Sequence, residues 1–99
     1  MSHDVCAYRI KSNGKCGEEI YSFNRTSGSK EIIELYRALD ALELCGSPPF
    51  SGIGGREFTE EQLVLALERL GKSNLDVERE MRFLSICIET EETVYIQFC

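Results

Sequence analysis

Alternating hydrophobic and polar residues mark two stretches near the start of the chain. Residues 5–11 and 18–23 both follow a period of two, which is typical of a β-strand with one buried face. Between them, Asn13-Gly14 supplies two residues that tolerate the positive φ angles of a tight hairpin turn. The sequence therefore predicts that the fold begins with a β-hairpin.

Residues 29–45 change to helical spacing. The stripe of apolar side chains on one predicted helix face consists of Ile32, Leu35, Tyr36, Leu39 and Leu42. Ser29 can cap the first turn, and Gly46 followed by Pro48-Pro49 prevents a helix from continuing. We predict a helix over residues 29–45.

A second helix is predicted from a capping box, in which Thr59 opens the helix and Gln62 can reach back to the Thr59 amide. The helix ends at Gly71, and its core stripe consists of Leu63, Ala66, Leu67 and Leu70. Val64 and Leu65 extend the apolar surface around the helix. We expect either a second layer of this protein or a binding partner to cover them.

The last part of the chain contains two competing periods. Residues 76–82 predict a short helix, and Val77, Met81, Leu84 and Ile88 would extend it. Residues 83–89 also alternate as a strand does, and so do residues 94–98. A turn at residues 90–92 would pair the two segments and place six large apolar side chains on one face, so we favour a second β-hairpin.

These elements predict a single α+β domain over residues 1–99. The predicted order is ββααββ, with a short extra helical turn before the last hairpin. An antiparallel sheet made of the two hairpins would pack under the two main helices as a two-layer sandwich.

Charge narrows the classes of function. The 99 residues carry a net charge of −6, and residues 31–99 hold six basic against fourteen acidic groups. An acidic body repels phosphate backbones and anionic lipids, which disfavours binding to nucleic acid and to membranes. No apolar stretch approaches the roughly 20 residues of a membrane span, and no secretory signal precedes the first strand, so we expect a cytoplasmic protein.

The cysteines predict free thiols. The five of them are Cys6, Cys16, Cys45, Cys87 and Cys99. No Cys-x-x-Cys pair is present and His3 is the only histidine, so we expect no metal site and no other cofactor. Lys15 could make the neighbouring Cys16 reactive, which leaves a small thiol-dependent enzyme as one alternative. No accompanying base is apparent, so we assign no catalytic residue and favour a non-enzymatic role.

Residues 46–58 form a long connection rich in glycine and proline. A phosphate cradle is disfavoured because no Lys-Ser or Lys-Thr follows the glycines and the next helix opens with Glu60-Glu61. Phe50 and Ile53 either pack beneath the helices or face a partner. The candidate partner-binding residues are Pro49, Phe50, Ile53, Val64 and Leu65.

The favoured function is a protein-interaction or regulatory module, whose partner could be another protein or a second copy of the chain. A winged-helix-like nucleic-acid binder is the alternative, with Arg79 and Arg82 on its recognition helix and the second hairpin as its wing. The net charge and the neighbouring Glu78 and Glu80 weigh against that alternative.

Overall fold

The chain folds around a four-stranded antiparallel sheet. A computed structural model describes residues 2–26, 29–45 and 54–99. The strands are β1 (Ser2–Ile10), β2 (Cys16–Thr26), β3 (Gly54–Phe58) and β4 (Val94–Phe98), in the spatial order β2-β1-β4-β3. The helices are α1 (Lys30–Ala38), α2 (Glu60–Gly71) and α3 (Glu78–Glu89), with a short 3₁₀ turn at Leu42–Leu44.

One face of the sheet and the three helices enclose a single core. Val5 and Ala7 of β1 lie opposite Phe98 and Ile96 of β4, and all four side chains are buried. On the other side of β4, Phe58 of β3 lies opposite Val94. The helices contribute further buried side chains, among them Ile32, Leu35, Tyr36, Leu63, Ala66, Phe83 and Leu84. The α+β class with helices packed on an antiparallel sheet is therefore confirmed.

The first hairpin is confirmed. Gly14 has a φ of +80°, and its amide donates to the carbonyl of Lys11 at 2.9 Å to close the turn. Both strands are longer than residues 5–11 and 18–23, because pairing continues outward as far as Ser2 and Thr26.

Helix α1 begins where predicted but ends earlier. The Ser29 hydroxyl accepts from the Ile32 amide at 3.3 Å, which caps the first turn. Asp40 adopts a left-handed conformation with a φ of +55°, and the Ala41 amide donates back to the Tyr36 carbonyl at 2.9 Å. This pattern closes the helix after Ala38, so the predicted extent to residue 45 is wrong.

Helix α2 agrees with its prediction at both ends. The Thr59 amide donates to the Gln62 side chain at 2.8 Å, and the Gln62 amide donates to the Thr59 hydroxyl at 3.3 Å. The helix ends at Gly71.

The prediction of a second hairpin is wrong. Residues 83–89 belong to α3, in which Phe83, Leu84 and Cys87 are buried at helical spacing. β3 pairs with β4 instead, so the third strand in sequence comes from the glycine-rich connection and lies between α1 and α2. The observed sequence order is β-β-α-β-α-α-β.

Candidate protein-interaction site

Helix α2 presents two aliphatic side chains outward. Val64 is 39% exposed and Leu65 is 45% exposed, whereas Leu63 and Ala66 on either side of them are buried. The turn of α2 at residues 63–66 therefore has a core face and an apolar outer face. A partner that covers the outer face would remove both side chains from water, which is favourable.

The two aliphatic side chains lie in a shallow groove with an acidic margin. The groove has a volume of about 770 Å³ and is lined by Thr59, Glu60, Glu61, Val64, Leu65 and Glu68. Glu60 and Glu68 lie four residues before and four residues after Val64. Since residues four apart share a face of a helix, these two glutamates lie on the same side of α2 as Val64. We call the lining residues the acidic face of α2.

No positive charge of α2 offsets this margin. Arg69 is the helix's only basic residue, and its guanidinium donates to the Ala38 carbonyl at 3.0 Å, towards α1. Glu60 and Glu61 lie in the first turn, where the helix dipole stabilises carboxylates. The acidic face therefore combines an apolar centre with a net negative rim.

The five predicted partner-binding residues have different outcomes. Val64 and Leu65 lie side by side in the groove. Pro49, Phe50 and Ile53 lie outside the described residues, so their role in binding a partner stays a prediction.

A second groove lies between α3 and the outer strand β2. It has a volume of about 410 Å³ and is lined by Tyr21, Phe23, Asn24, Arg79 and Arg82. The Arg79 guanidinium donates to the Asn24 carbonyl at 3.3 Å, and Arg82 forms an exposed ion pair with Glu78 at 3.3 Å. We call these residues the arginine groove.

Aromatic packing and a buried ion pair fix the arginine groove. The rings of Phe23 and Tyr21 lie 5.2 and 6.4 Å from the ring of Phe83, which is buried in α3. Arg25 on β2 donates two hydrogen bonds of 2.9 Å to the carboxylate of Glu80, and these bonds raise the pKa of Arg25 above its ordinary value. The predicted β-hairpin hid this groove from sequence reasoning, because Arg79 and Arg82 face Tyr21 and Phe23 only when residues 78–89 are a helix beside β2.

A thiol-based catalytic site is not assembled at Cys16. Cys16 is exposed and pairs with Ile10, whereas His3 is buried near the other end of β1. The seven residue-to-residue steps from His3 to Ile10 span roughly 23 Å in a strand. The His3 imidazole forms a hydrogen bond of 2.6 Å with the Tyr36 hydroxyl instead, so it does not act as a base for Cys16.

Other thiols are held in their neutral form. Burial raises the pKa of Cys87 to about 12, and it also raises the pKa of Cys6 and Cys45. A raised pKa lowers the thiolate population and with it the reactivity of these side chains. Cys87 belongs to α3, and its side chain is fully buried.

Residues 2–26, 29–45 and 54–99 lack the side-chain groupings of a metal site and the long apolar helix of a membrane span. In that part of the chain no three His, Cys, Asp or Glu side chains come together in a way that would hold a metal ion. None of the helices described there has the length and apolar character needed to cross a membrane.

Comparison with known proteins adds no functional assignment. No protein-family model matches the chain, and no curated protein matches it.

Proposed function

We propose that this protein is a non-enzymatic protein-interaction module that binds its partner through the acidic face of α2. The observation that carries the proposal is the exposure of Val64 and Leu65 inside an acidic groove. An exposed aliphatic pair on a helix whose other face is buried offers an apolar contact that a second polypeptide can cover.

The rim specifies the charge of the partner. Glu60, Glu61 and Glu68 surround the apolar centre, so a complementary surface carries aliphatic or aromatic side chains flanked by lysine or arginine. Two acidic faces of α2 are poorly suited to each other, because any helix-to-helix pairing through them brings glutamates against glutamates. A symmetric dimer through this face alone is therefore disfavoured.

A defined peptide tests the proposal. The probe is a helical peptide with two adjacent leucines flanked by lysines, and its matched partner has each lysine replaced by glutamate. We expect the basic peptide to bind in calorimetry at low salt and the acidic one not to bind. Val64→Ser with Leu65→Ser should weaken binding by about tenfold or more, which corresponds to about 1.4 kcal/mol.

Matched variants separate this site from general charge attraction. Glu60→Lys, Glu61→Lys and Glu68→Lys together should abolish binding. Glu18→Lys, Glu57→Lys and Glu89→Lys change the net charge equally at exposed positions elsewhere and should retain most of it. Leu42→Ser is the control for the apolar pair, since Leu42 is also an exposed leucine. Equal losses in the two charge variants, or equal losses in the apolar variant and its control, would refute the proposal.

The winged-helix alternative requires a β-hairpin wing that residues 83–98 do not form. The wing was to be the hairpin of residues 83–98, and residues 83–89 are helical. Arg79 and Arg82 flank Tyr21 and Phe23 of the sheet rather than standing on an isolated recognition helix.

A further inference from the structure

We propose that the partner of α2 is a second copy of this chain, and that the acidic face of one copy docks in the arginine groove of the other. The inference rests on the proposed function, because it names the surface that the acidic face meets. It follows from a comparison of two grooves that share no residue.

The two surfaces are opposite in charge and alike in construction. The acidic face has an aliphatic centre, Val64 and Leu65, with three glutamates around it. The arginine groove is lined by two aromatic side chains, Tyr21 and Phe23, and by the guanidinium groups of Arg79 and Arg82. Aliphatic side chains against aromatic rings and carboxylates against guanidiniums are the pairing that the acidic face requires.

The two arginines keep hydrogen-bonding capacity for a partner. Arg79 uses one nitrogen for the Asn24 carbonyl at 3.3 Å, and a guanidinium carries five N–H donors. Arg82 is 63% exposed and its partner Glu78 is 75% exposed, so their ion pair is weak and can exchange for an incoming carboxylate. Glu78 is the acidic partner of Arg82, whereas the Glu80 carboxylate is paired with Arg25.

Several other arginines are engaged within the fold. Arg9 pairs with Glu92 and Arg56 pairs with Glu43. Arg25 is occupied by the buried carboxylate of Glu80. None of these three guanidiniums lines a described groove with aromatic side chains. Among the four grooves, the arginine groove is the one whose lining combines arginine with aromatic side chains.

The contact joins different surfaces on the two copies. Such a contact either closes as a dimer, when each copy offers both surfaces to the other, or continues head to tail. The apolar centre is small and the ion pairs are exposed, so the association is weak and salt-dependent.

Analytical ultracentrifugation of the whole chain tests the inference. At about 0.01 M salt the mean mass should rise with protein concentration to at least twice that of one chain, and at about 1 M salt it should return to one chain. The acidic-face variant, Glu60→Lys with Glu61→Lys and Glu68→Lys, should remain monomeric. The groove variant, Arg79→Glu with Arg82→Glu, should also remain monomeric.

Mixing the acidic-face variant with the groove variant is the decisive experiment. The groove variant keeps a native acidic face and the acidic-face variant keeps a native groove, so their equimolar mixture should form a 1:1 dimer through one intact contact. Circular dichroism melts confirm that each variant is folded, and Arg79→Gln with Arg82→Gln replaces the groove variant if charge reversal unfolds it.

Two results would overturn the inference. One is wild-type protein that stays monomeric at every concentration in low salt, and the other is a mixture of folded variants that does not pair. If the lysine-flanked peptide still binds in either case, the proposed function stands and its partner is a different basic protein. If neither association occurs, both proposals fail.

Discussion

Arg25 and Glu80 meet across the junction between the sheet and the helix layer, joined by two hydrogen bonds of 2.9 Å. The Glu80 side chain is completely buried and that of Arg25 is 16% exposed. Arg25 also donates to the Asp76 carbonyl at 2.9 Å, so one side chain of β2 holds both the first turn of α3 and the segment before it. The pair fixes α3 in the position that creates the arginine groove.

Loss of the buried carboxylate should destabilise the fold strongly. Glu80→Gln removes the charge that balances Arg25, and breaking a buried ion pair from one side costs about 3–5 kcal/mol. We expect about 3 kcal/mol, since Arg25 is partly in contact with solvent. Urea unfolding measures this value, and Glu78→Gln, at an exposed position in the same turn, should change it by less than about 0.5 kcal/mol. A similar loss in both variants would contradict the importance of the pair.

Loss of the Tyr36 hydroxyl should lower the stability of the fold. It forms the hydrogen bond of 2.6 Å with the buried imidazole of His3. Tyr36→Phe removes one hydrogen-bond partner of a buried polar group and should lower the free energy of unfolding by about 1–3 kcal/mol. The control is Tyr95→Phe, which removes a longer, partly buried bond of 3.2 Å to Gln97 and should cost less. Equal costs in thermal melts would show that the His3 bond has no special weight.

Two leucines of α2 should differ strongly in how much stability the same substitution removes. Leu63→Ala removes a fully buried side chain and should cost about 2–5 kcal/mol. Leu65→Ala acts at the exposed face and should change stability by less than about 0.5 kcal/mol. Chemical denaturation of both variants measures the difference, and a large loss at Leu65 would mean that the outer face of α2 belongs to the core.

Alkaline pH should weaken the fold through Cys87. Burial raises the pKa of its thiol from an ordinary value of 9.0 to about 12. The folded state therefore keeps a proton that the unfolded chain releases, so this contribution is complete below about pH 9 and is lost as the pH rises towards about 12. The stability difference between the wild type and Cys87→Ala should narrow over that interval. A difference that stays constant with pH would contradict the assigned burial effect.

Local signals in the sequence predicted the elements that are stabilised locally. Asn13-Gly14 specifies its turn through backbone geometry, and Ser29 and Thr59 bond to amides three residues away. These interactions require no knowledge of the rest of the fold. The first hairpin and the starts of two helices were therefore predictable, and so was the apolar outer face of α2.

Long-range contacts decided the elements that were predicted wrongly. The segment Gly54–Phe58 has no alternating apolar pattern and becomes a strand because it pairs with β4. Residues 83–89 suit either a strand or a helix, and the helix is supported by Phe83 against Phe23 and by Glu80 against Arg25. The arginine groove depends on the same distant contacts, which is why it emerged only with the structure.

The position of β4 between β1 and β3 also constrains how the chain acquires its shape during synthesis. The β1–β2 hairpin is synthesised before β4, and the inner edge of β1 has no neighbour until Val94–Phe98 have been translated. β3 likewise has no pairing partner until these five residues have been synthesised, because it pairs with β4 in the sheet. Until β4 is in place, both β1 and β3 therefore lack the strand that they pair with in the finished sheet, and unpaired strand edges of this kind favour pairing with other chains.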